Sequence, residues 1–332
     1  MKKIFFHLTA IFFLSIVCPE AVRGIEFTIV RNFSGGPGES PRGGVILGND
    51  GLLYGTTQDD GVVFAVNPSG SGYTAIHSFP PGQSAIFGVT QGSDNRLYGA
   101  LFDGINGRIF RVKTDTTGYE ENNNFTSVLG GTDPRHQPFQ ASDGRIYGIV
   151  SEGTVLGMGG IYGMDLDGMN YQVLISFSGT GGNNPGAFGE SFVSPLIEAS
   201  NGLLYGTTPE GGIFEKGVIF HIQKNGSNYT ILRHLSSKVG AATGGALLQA
   251  ADGRLYGVTQ RGGKFGLGTI FRINPNGSGF EVLHDFNGID GNEPLGGLIQ
   301  GSDGRLYGTC FMGGSPGGNS GVAYRIKPSG RA

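Results

Sequence analysis

Short runs of apolar residues separated by glycine-rich turns recur along most of this chain. In one unit, apolar residues dominate the stretches 244–250, 254–259, 269–274 and 280–286, and an Asp-Gly turn separates the first two. Such runs are typical of antiparallel strands, and none has the 3.6-residue periodicity of a long helix. An earlier unit departs from this template, since residues 120–124 interrupt its last apolar run. The pattern predicts units of four short antiparallel strands.

One phrase marks each unit, because Asp-Gly-x-Leu-Tyr-Gly or a close variant occurs six times. Its tyrosines lie 44 to 58 residues apart, at Tyr54, Tyr98, Tyr147, Tyr205, Tyr256 and Tyr307. Four strands in a tandem unit of roughly this length is the pattern of a propeller blade. We expect the tyrosine to pack between blades, with its hydroxyl bonded to a backbone group or water. The glycine that follows it is expected to allow a ring or backbone to approach closely.

The two ends of the chain complement each other. Residues 26–33 have the pattern of a fourth strand with no blade before it, and residues 327–330 form a turn that should precede a fourth strand. Pairing residues 26–33 beside residues 322–326 would hide two sheet edges. The sequence therefore predicts an all-β fold with one domain over residues 25–332. This domain is a six-bladed β-propeller of four-stranded antiparallel blades, closed by the N-terminal strand pairing in the last blade.

The first 24 residues have the pattern of a secretory signal peptide. Lys2 and Lys3 precede an apolar run over residues 4–17, and Val22 and Gly24 suit a cleavage site. This apolar run is shorter than a membrane-spanning helix usually requires. We expect residues 1–24 to be removed, no membrane span to remain, and the protein to be periplasmic or extracellular in a bacterium, either free or surface-associated.

Composition limits the classes of partner. The chain has 64 glycines, no tryptophan, 15% charged residues and a formal net charge of −3. A mildly acidic protein does not favour nucleic acid, which needs basic patches. After removal of the signal only Cys310 remains, so no internal disulfide can form, and we expect this thiol to pack inside a strand. We expect a monomer.

No catalytic or metal-binding constellation stands out in the sequence. A metal-dependent propeller enzyme would need several carboxylates or amides pointing inward from the inner strands. Those positions are mostly small or apolar here, and no nucleophile elbow, phosphate loop or cysteine cluster is present. We therefore predict no catalytic residues, no metal and no cofactor.

Variable loops are the candidate binding sites. In a propeller, the loops between second and third strands share one face with the segments that lead into each blade, and function tends to lie on such loops. The alternative for any one of these residues is an ordinary solvated loop side chain. The candidate ligand contacts are Arg135, His136, Glu190, Glu210, Lys216, Arg261, Lys264 and Glu293.

Beyond the tyrosine phrase, some units continue with Thr-Thr or a close variant, a Gly-Gly loop, a Gly-x-x-Phe strand and a closing apolar strand. Residues 202–220 and 253–271 show this pattern well. The pattern resembles the GloVer tandem repeat of bacterial choice-of-anchor surface proteins, and the resemblance covers residues 26–330. It implies a secreted or surface-displayed β-propeller-like protein without an assigned activity. Because no apolar tail or sorting motif follows Gly330, we expect release rather than anchoring.

Three functions fit these features. The export signal, the repeats and the lack of a catalytic constellation favour a binding or interaction module for a glycan or protein ligand. One alternative is an extracellular carbohydrate lyase or hydrolase whose funnel site is assembled only by folding. The other is a purely structural surface protein.

Overall fold

In the described part of the chain, all regular structure is β-strand. Twenty-seven strands form six main sheets and one two-stranded ribbon. The computed structural model describes residues 30–31, 33, 38, 40–41, 44–83, 85, 87–101, 107–122, 125, 131–134, 136–152, 154, 159–177, 194–315, 318–319 and 321–330.

The first three repeats form the first three sheets. The first sheet contains β1 (Ile46–Leu47), β2 (Leu53–Thr56), β3 (Val62–Val66) and β4 (Thr74–Ser78). The second contains β5 (Val89–Gln91), β6 (Arg96–Leu101), β7 (Arg108–Lys113) and β8 (Glu120–Asn122). The third contains β9 (Thr132–Pro134), β10 (Phe139–Gln140), β11 (Ile146–Glu152), β12 (Gly160–Met164) and β13 (Gln172–Ser176).

The last three repeats form the other sheets. The fourth contains β14 (Ile197–Glu198), β15 (Leu204–Thr208), β16 (Val218–Ile222) and β17 (Thr230–His234). The fifth contains β18 (Ala241–Thr243), β19 (Leu248–Gln249), β20 (Leu255–Arg261), β21 (Thr269–Ile273) and β22 (Glu281–Asp285). The last repeat contains β23 (Ile299–Gln300), β24 (Leu306–Cys310), β25 (Gly314–Ser315), β26 (Gly318–Asn319) and β27 (Val322–Ile326), of which β25 and β26 form the ribbon.

Neighbouring strands pair antiparallel in every sheet, and the first, second and fourth sheets follow chain order, as in β14-β15-β16-β17. In the third sheet β9 and β10 both pair with β11, and in the fifth β18 and β19 both pair with β20. The sixth sheet has the order β23-β24-β27 and no fourth strand among the described residues. Because the strands alternate in direction, the connections from first to second and from third to fourth strand lie at one end of every sheet, which we call the turn face. The second-to-third connections and the segments leading into the next sheet lie at the other end, the loop face.

The hydrophobic core lies between neighbouring sheets. Five buried clusters join the first sheet to the second, the second to the third, and so on to the sixth. A further cluster packs Val30 and Phe33 against the first sheet. Within the described residues, no cluster joins the sixth sheet to the first. The sheets thus pack face to face in chain order, and each of the second to fifth sheets is covered on both faces by a neighbouring sheet.

In the second to fifth sheets, the repeated phrase binds its turn both to its own sheet and to the next one. In the fifth sheet, the Asp252 carboxylate accepts the Arg254 N–H at 3.1 Å and the Tyr256 hydroxyl at 2.7 Å. That hydroxyl also lies 3.3 Å from the Pro328 carbonyl oxygen of the sixth sheet. Burial, followed by the bond to Asp252, raises the pKa of Tyr256 to about 12, so the phenol remains a donor. The tyrosine therefore packs between sheets as predicted, with a carboxylate as its additional partner.

The glycine after each tyrosine lies beneath an aromatic ring of the third strand. A Cβ at Gly257 would lie 2.5 Å from Cζ of Phe271, which is tighter than any real contact. The rings opposite the six glycines belong to Phe64, Phe110, Tyr162, Phe220, Phe271 and Tyr324. The expected close approach of a ring is confirmed at all six positions.

Two strand predictions are corrected by the structure. Glu120–Asn122 forms β8 rather than an interruption of the outer strand, because Glu120 bonds the guanidinium groups of Arg96 and Arg111. The inner strand expected over residues 244–250 is reduced to β19 (Leu248–Gln249), and β18 (Ala241–Thr243) lies before the predicted range. The glycines of the expected strand pack on main chain of the next sheet instead, since a Cβ at Gly244 would lie 2.5 Å from the Pro294 oxygen.

Two other predictions concern residues that the structure does not describe. The signal peptide over residues 1–24 lies wholly outside the described part of the chain. Most of the predicted closing strand, residues 26–29, also lies outside it. Pairing of this segment with β27 therefore stays a prediction.

A side-chain clip on the turn face joins each pair of neighbouring sheets. In the second to sixth sheets, a Gln or Glu of the first strand of the hairpin that contains the tyrosine phrase accepts the N–H of a turn residue in the preceding sheet. The donor–acceptor pairs are Asn49–Gln91, Ser93–Gln140, Ser142–Glu198, Ser200–Gln249 and Ala251–Gln300, at 2.6–2.8 Å. Leu47 holds the equivalent register position in the first sheet, where it cannot accept a hydrogen bond.

Glu198 is the charged acceptor among these five clips, and the other four acceptors are glutamines. We expect the Glu198 clip to weaken in acid. Burial raises the pKa of Glu198, but bonds from Lys224 and Ser142 outweigh that effect and lower it overall. A carboxyl group whose pKa is lower in the folded than in the unfolded protein stabilises the fold at pH values above its unfolded-state pKa. This stabilisation is lost as the pH falls through the folded-state pKa. Glu198→Gln should lower the free energy of unfolding by about 1–2 kcal/mol at neutral pH and less at acid pH.

Urea denaturation at pH 7 and in acid measures this difference. Glu281→Gln is the control, because Glu281 pairs with Arg272 through a side chain that is mostly exposed, and exposed pairs contribute little. An equal effect of Glu198→Gln at both pH values would contradict the assigned role of the charge.

Candidate functional site

The loop face of the fourth to sixth sheets forms a continuous surface that we call the loop platform. It contains residues 209–217, 236–243, 261–268, 287–294 and 311–314. Main-chain hydrogen bonds join these segments across the sheets. Ala242 N–H donates to the Lys216 carbonyl at 3.3 Å, and Glu293 N–H donates to the Leu267 carbonyl at 3.2 Å. The loops of adjacent sheets are thereby held to one another.

These two bonds use equivalent residues of successive repeats. Ala242 and Glu293 both have a φ of 52°, in the left-handed region that residues other than glycine rarely adopt. This conformation directs their N–H groups towards the loop of the preceding sheet. The Glu293 carbonyl then accepts the Phe311 N–H at 3.0 Å, which extends the connection to the sixth sheet.

Large apolar side chains are exposed on this platform. Phe214 is 54% exposed, Phe265 50% and Phe311 61%, and Ile213 and Ile289 are similarly exposed. Five of the nine large hydrophobic residues exposed in the described part of the chain therefore lie here. A grouped apolar surface with a polar rim marks an interaction site in a soluble protein.

Sequence reasoning did not select these apolar residues, although a signal was present. Phe214 and Phe265 occur at the same position of a Gly-Gly-x-Phe-x-x-Gly loop, in residues 211–217 and 262–268. Large apolar residues in glycine-rich loops lie outside the strand pattern, so nothing in the sequence predicts that they are buried. The repeated position was the available indication of a role at the surface.

Five of the predicted contact residues lie on the platform. Lys216, Arg261 and Lys264 are exposed, whereas Glu210 and Glu293 are half-buried. The Lys264 ammonium lies 5.0 Å from the centroid of the Phe265 ring. The loops that carry the apolar residues thus also carry side chains of both charges, which can donate and accept hydrogen bonds.

The other three predicted contacts are not on the platform. His136 is buried in the lead-in segment of the third sheet, with its ring 5.2 Å from that of Phe87. Arg135 and Glu190 lie outside the described residues. A contact between any of the three and a ligand stays a prediction.

The described residues contain neither a cluster of metal ligands nor an exposed thiol. Among them, no group of three or more His, Cys, Asp and Glu side chains could hold a metal ion. The Cys310 thiol is buried, and burial raises its pKa to about 12, so it is not a thiolate near neutral pH.

A cavity of about 230 Å³ opens between the second and third sheets near the turn face. Its walls include Tyr98, Arg111, Glu120 and Met169. The Arg111 guanidinium donates to the Leu166 carbonyl at 2.6 Å and to the Glu120 carboxylate at 3.0 Å. Because these polar groups already satisfy one another, we regard the cavity as a packing feature of the interface.

Comparison with known families agrees with the sequence pattern. The model of the Gloeobacter/Verrucomicrobia repeat matches residues 17–189 and 187–332, so each match contains three of the six tyrosine phrases. The chain belongs to this repeat family. The predicted resemblance to the GloVer repeat is thereby confirmed. No curated protein sequence matches the chain.

Similar solved structures indicate a β-propeller-like fold for this Gloeobacter/Verrucomicrobia repeat protein. An oligogalacturonate lyase from Vibrio parahaemolyticus has a TM-score of 0.57 at 11% identity, with 87% of this chain and 78% of that chain covered. A gluconolactonase from Xanthomonas campestris has a TM-score of 0.53 at 12% identity, with 87% and 86% covered. TolB from Acinetobacter baumannii has a TM-score of 0.51 at 13% identity, with 84% and 61% covered.

At such identities the similarity concerns the fold alone. This chain also spans less than two thirds of the length of TolB. In the part of the chain that the structure describes, no helix is long and apolar enough to cross a membrane.

Proposed function

We propose that this Gloeobacter/Verrucomicrobia repeat protein is an extracellular binding module that holds a ligand on the loop platform. The supporting observation is the grouping of five exposed apolar side chains on loops that main-chain hydrogen bonds hold in place. Export rests on the signal-like pattern of residues 1–24. Rigid loops bind with little ordering entropy, so this surface is suited to binding without rearrangement.

Binding of the secreted chain, residues 25–332, to immobilised extracellular material from the producing organism tests this proposal. Wild-type protein should bind saturably, and the double variant Phe214→Ala, Phe265→Ala should bind at least about tenfold more weakly, as expected for loss of aromatic anchors. Met169→Ala is the matched control, because Met169 is an equally exposed apolar residue in a turn outside the platform.

Two results would overturn the binding role. One is equal binding by the wild type and the double variant. The other is breakdown of a polysaccharide that is lost in the double variant, which would favour the lyase or hydrolase. Circular dichroism of each variant checks that the fold is intact.

We further propose that the six sheets are the blades of a closed propeller, completed by residues 26–33. Phe33 lies 5.1 Å from the Phe64 ring of the first sheet. Phe79, at the end of the first sheet's outer strand, lies at the same distance from Phe110 of the second sheet. The backbone near Val30 contacts Gly70, as the backbone near Leu174 contacts Gly226. Val30 and Phe33 therefore contact the first sheet as residues of a preceding fourth strand would.

Exposed faces at the two ends of the stack support the same proposal. Val45 is 55% exposed, whereas its equivalents Val89, Leu196, Leu247 and Leu298 are buried against the preceding sheet. Ile299, on the opposite face of the sixth sheet, is 66% exposed. Contact between these two apolar faces would close the ring. With Leu47 in place of a clip acceptor, the closing contact would be apolar.

A further inference from the structure

The platform presents the same aromatic side chain twice, one repeat apart. Phe214 and Phe265 occupy equivalent positions in two seven-residue loops that share glycines at their first, second and last positions. Their exposed fractions are almost the same, 54% and 50%. The two rings thus form a repeated element on the surface, rather than two unrelated exposed residues.

The two loops are fixed to their sheets in the same way. Ile213 N–H donates to His234 Nδ1 at 3.2 Å, and Lys264 N–H donates to the Asp285 carboxylate at 2.6 Å. His234 and Asp285 are the last residues of the equivalent outer strands β17 and β22. Each bond holds the residue directly before the phenylalanine. The backbone that carries each ring is therefore held at the equivalent point of two adjacent sheets.

A ligand that is itself a repeating polymer can contact both rings in the same manner. The carbon–hydrogen face of a pyranose ring packs on an aromatic face, and its hydroxyl groups need nearby donors and acceptors. Exposed Glu215 and Lys216 follow Phe214, and exposed Lys264 precedes Phe265. Each ring thus has hydrogen-bonding side chains beside it, as recognition of a sugar requires.

The charges on the platform distinguish between classes of polysaccharide. Glu210 and Glu215 lie in the same loop as Phe214, and Glu293 lies between the fifth and sixth sheets. These carboxylates would repel a polyanion near one of the two rings. Lys216, Arg261 and Lys264 balance them, so the surface has no dominant sign. This distribution favours an uncharged polymer.

We propose that the loop platform binds a neutral polysaccharide, with sugar rings stacked on Phe214 and Phe265 at the same time. This inference rests on the proposed binding function and names the class of its ligand. Because two equal contacts act on one chain, affinity should depend on the length of the sugar. An oligosaccharide too short to reach both phenylalanine rings can stack on only one of them.

Titration calorimetry of residues 25–332 with neutral oligosaccharides of two to eight residues tests this proposal. The panel should contain mixed-linkage glucan, xylan and mannan fragments, with polygalacturonate as the anionic comparison. For one neutral series, wild-type affinity should rise at least about tenfold between the shortest and longest chains. Phe214→Ala and Phe265→Ala should each abolish the rise, and Met169→Ala should retain it.

Several outcomes would overturn the choice of ligand. These are no binding to any neutral series, no dependence on length, retention of the rise in both single variants, or binding only to polygalacturonate in a salt-sensitive manner. Treatment of the extracellular material separates this proposal from the broader one. Platform-dependent binding that survives periodate oxidation of the material but not its digestion by protease would indicate a protein ligand. That result would support the proposed binding role and contradict the proposed polysaccharide ligand.

Discussion

Gly257→Val should destabilise the protein by at least about 3 kcal/mol, and the variant should fail to accumulate as folded protein. The new Cβ would lie 2.5 Å from Cζ of Phe271 and 2.9 Å from Cδ2 of Leu247. Phe271 is fully buried and packs against Phe280 with ring centroids 5.6 Å apart, so it has no free space to occupy. Urea denaturation, or the soluble yield where the variant does not fold, measures the effect.

Two further variants show whether the ring is the cause. Gly44→Ala is the control, because a Cβ there meets nothing within 4 Å, and its stability should stay within about 0.5 kcal/mol of wild type. Gly257→Ala should be destabilised less than the valine variant, and combining it with Phe271→Leu should recover part of the loss relative to the sum of the two single changes. If Gly257→Val were as stable as the wild type, the close contact between Gly257 and the Phe271 ring would be refuted.

Removing residues 25–33 from the chain of residues 25–332 should lower its stability by about 3 kcal/mol, the low end of the usual effect of losing a large aromatic contact, because Phe33 is only partly buried. The deletion removes Phe33 from its contacts with Phe64 and Tyr73, and removes the strand proposed to pair with β27. For a chain of this size the melting temperature should fall by roughly 10 °C. Thermal denaturation followed by circular dichroism measures the change.

A peptide of residues 25–33 added in excess should restore part of the lost melting temperature, and a scrambled peptide should not. Ring closure also predicts that Val45→Cys with Ile299→Cys is joined within one chain by a short bis-maleimide, while each single variant is not. Buried Cys310 should not compete in this reaction. An unchanged melting temperature of the shortened chain, or cross-links only between chains, would refute closure.

Much of the fold could be predicted because its determinants are local. The Asp-Gly-x-Leu-Tyr-Gly phrase combines a turn, a carboxylate that accepts the tyrosine hydroxyl four residues later, and a glycine under a ring. In the fifth sheet these are Asp252, Tyr256 and Gly257. All three lie within six residues, so the sequence alone predicts the second strand of every sheet and the turn before it.

Local patterns were misleading where contacts between distant residues decide the structure. Glu120 looked like an interruption of a strand, but Arg96 and Arg111 from neighbouring strands pair with it and keep it in the sheet. Likewise, Gly244 looked like part of an inner strand, but the main chain near Pro294 occupies the space beside it. The partners lie 9 to 50 residues away in the chain, beyond the reach of a periodicity argument.

The sequence by itself determined the all-β repeat architecture, the repeat family and the loops that carry charge, because these follow from periodicity and turn chemistry. Only the tertiary structure decided which apolar residues are covered. Phe271 is buried and Phe265 is exposed, although both are phenylalanines of one repeat. Burial depends on whether a neighbouring sheet lies over a side chain, and that neighbour is about fifty residues distant along the chain. For this reason the loop platform became visible only in the folded protein.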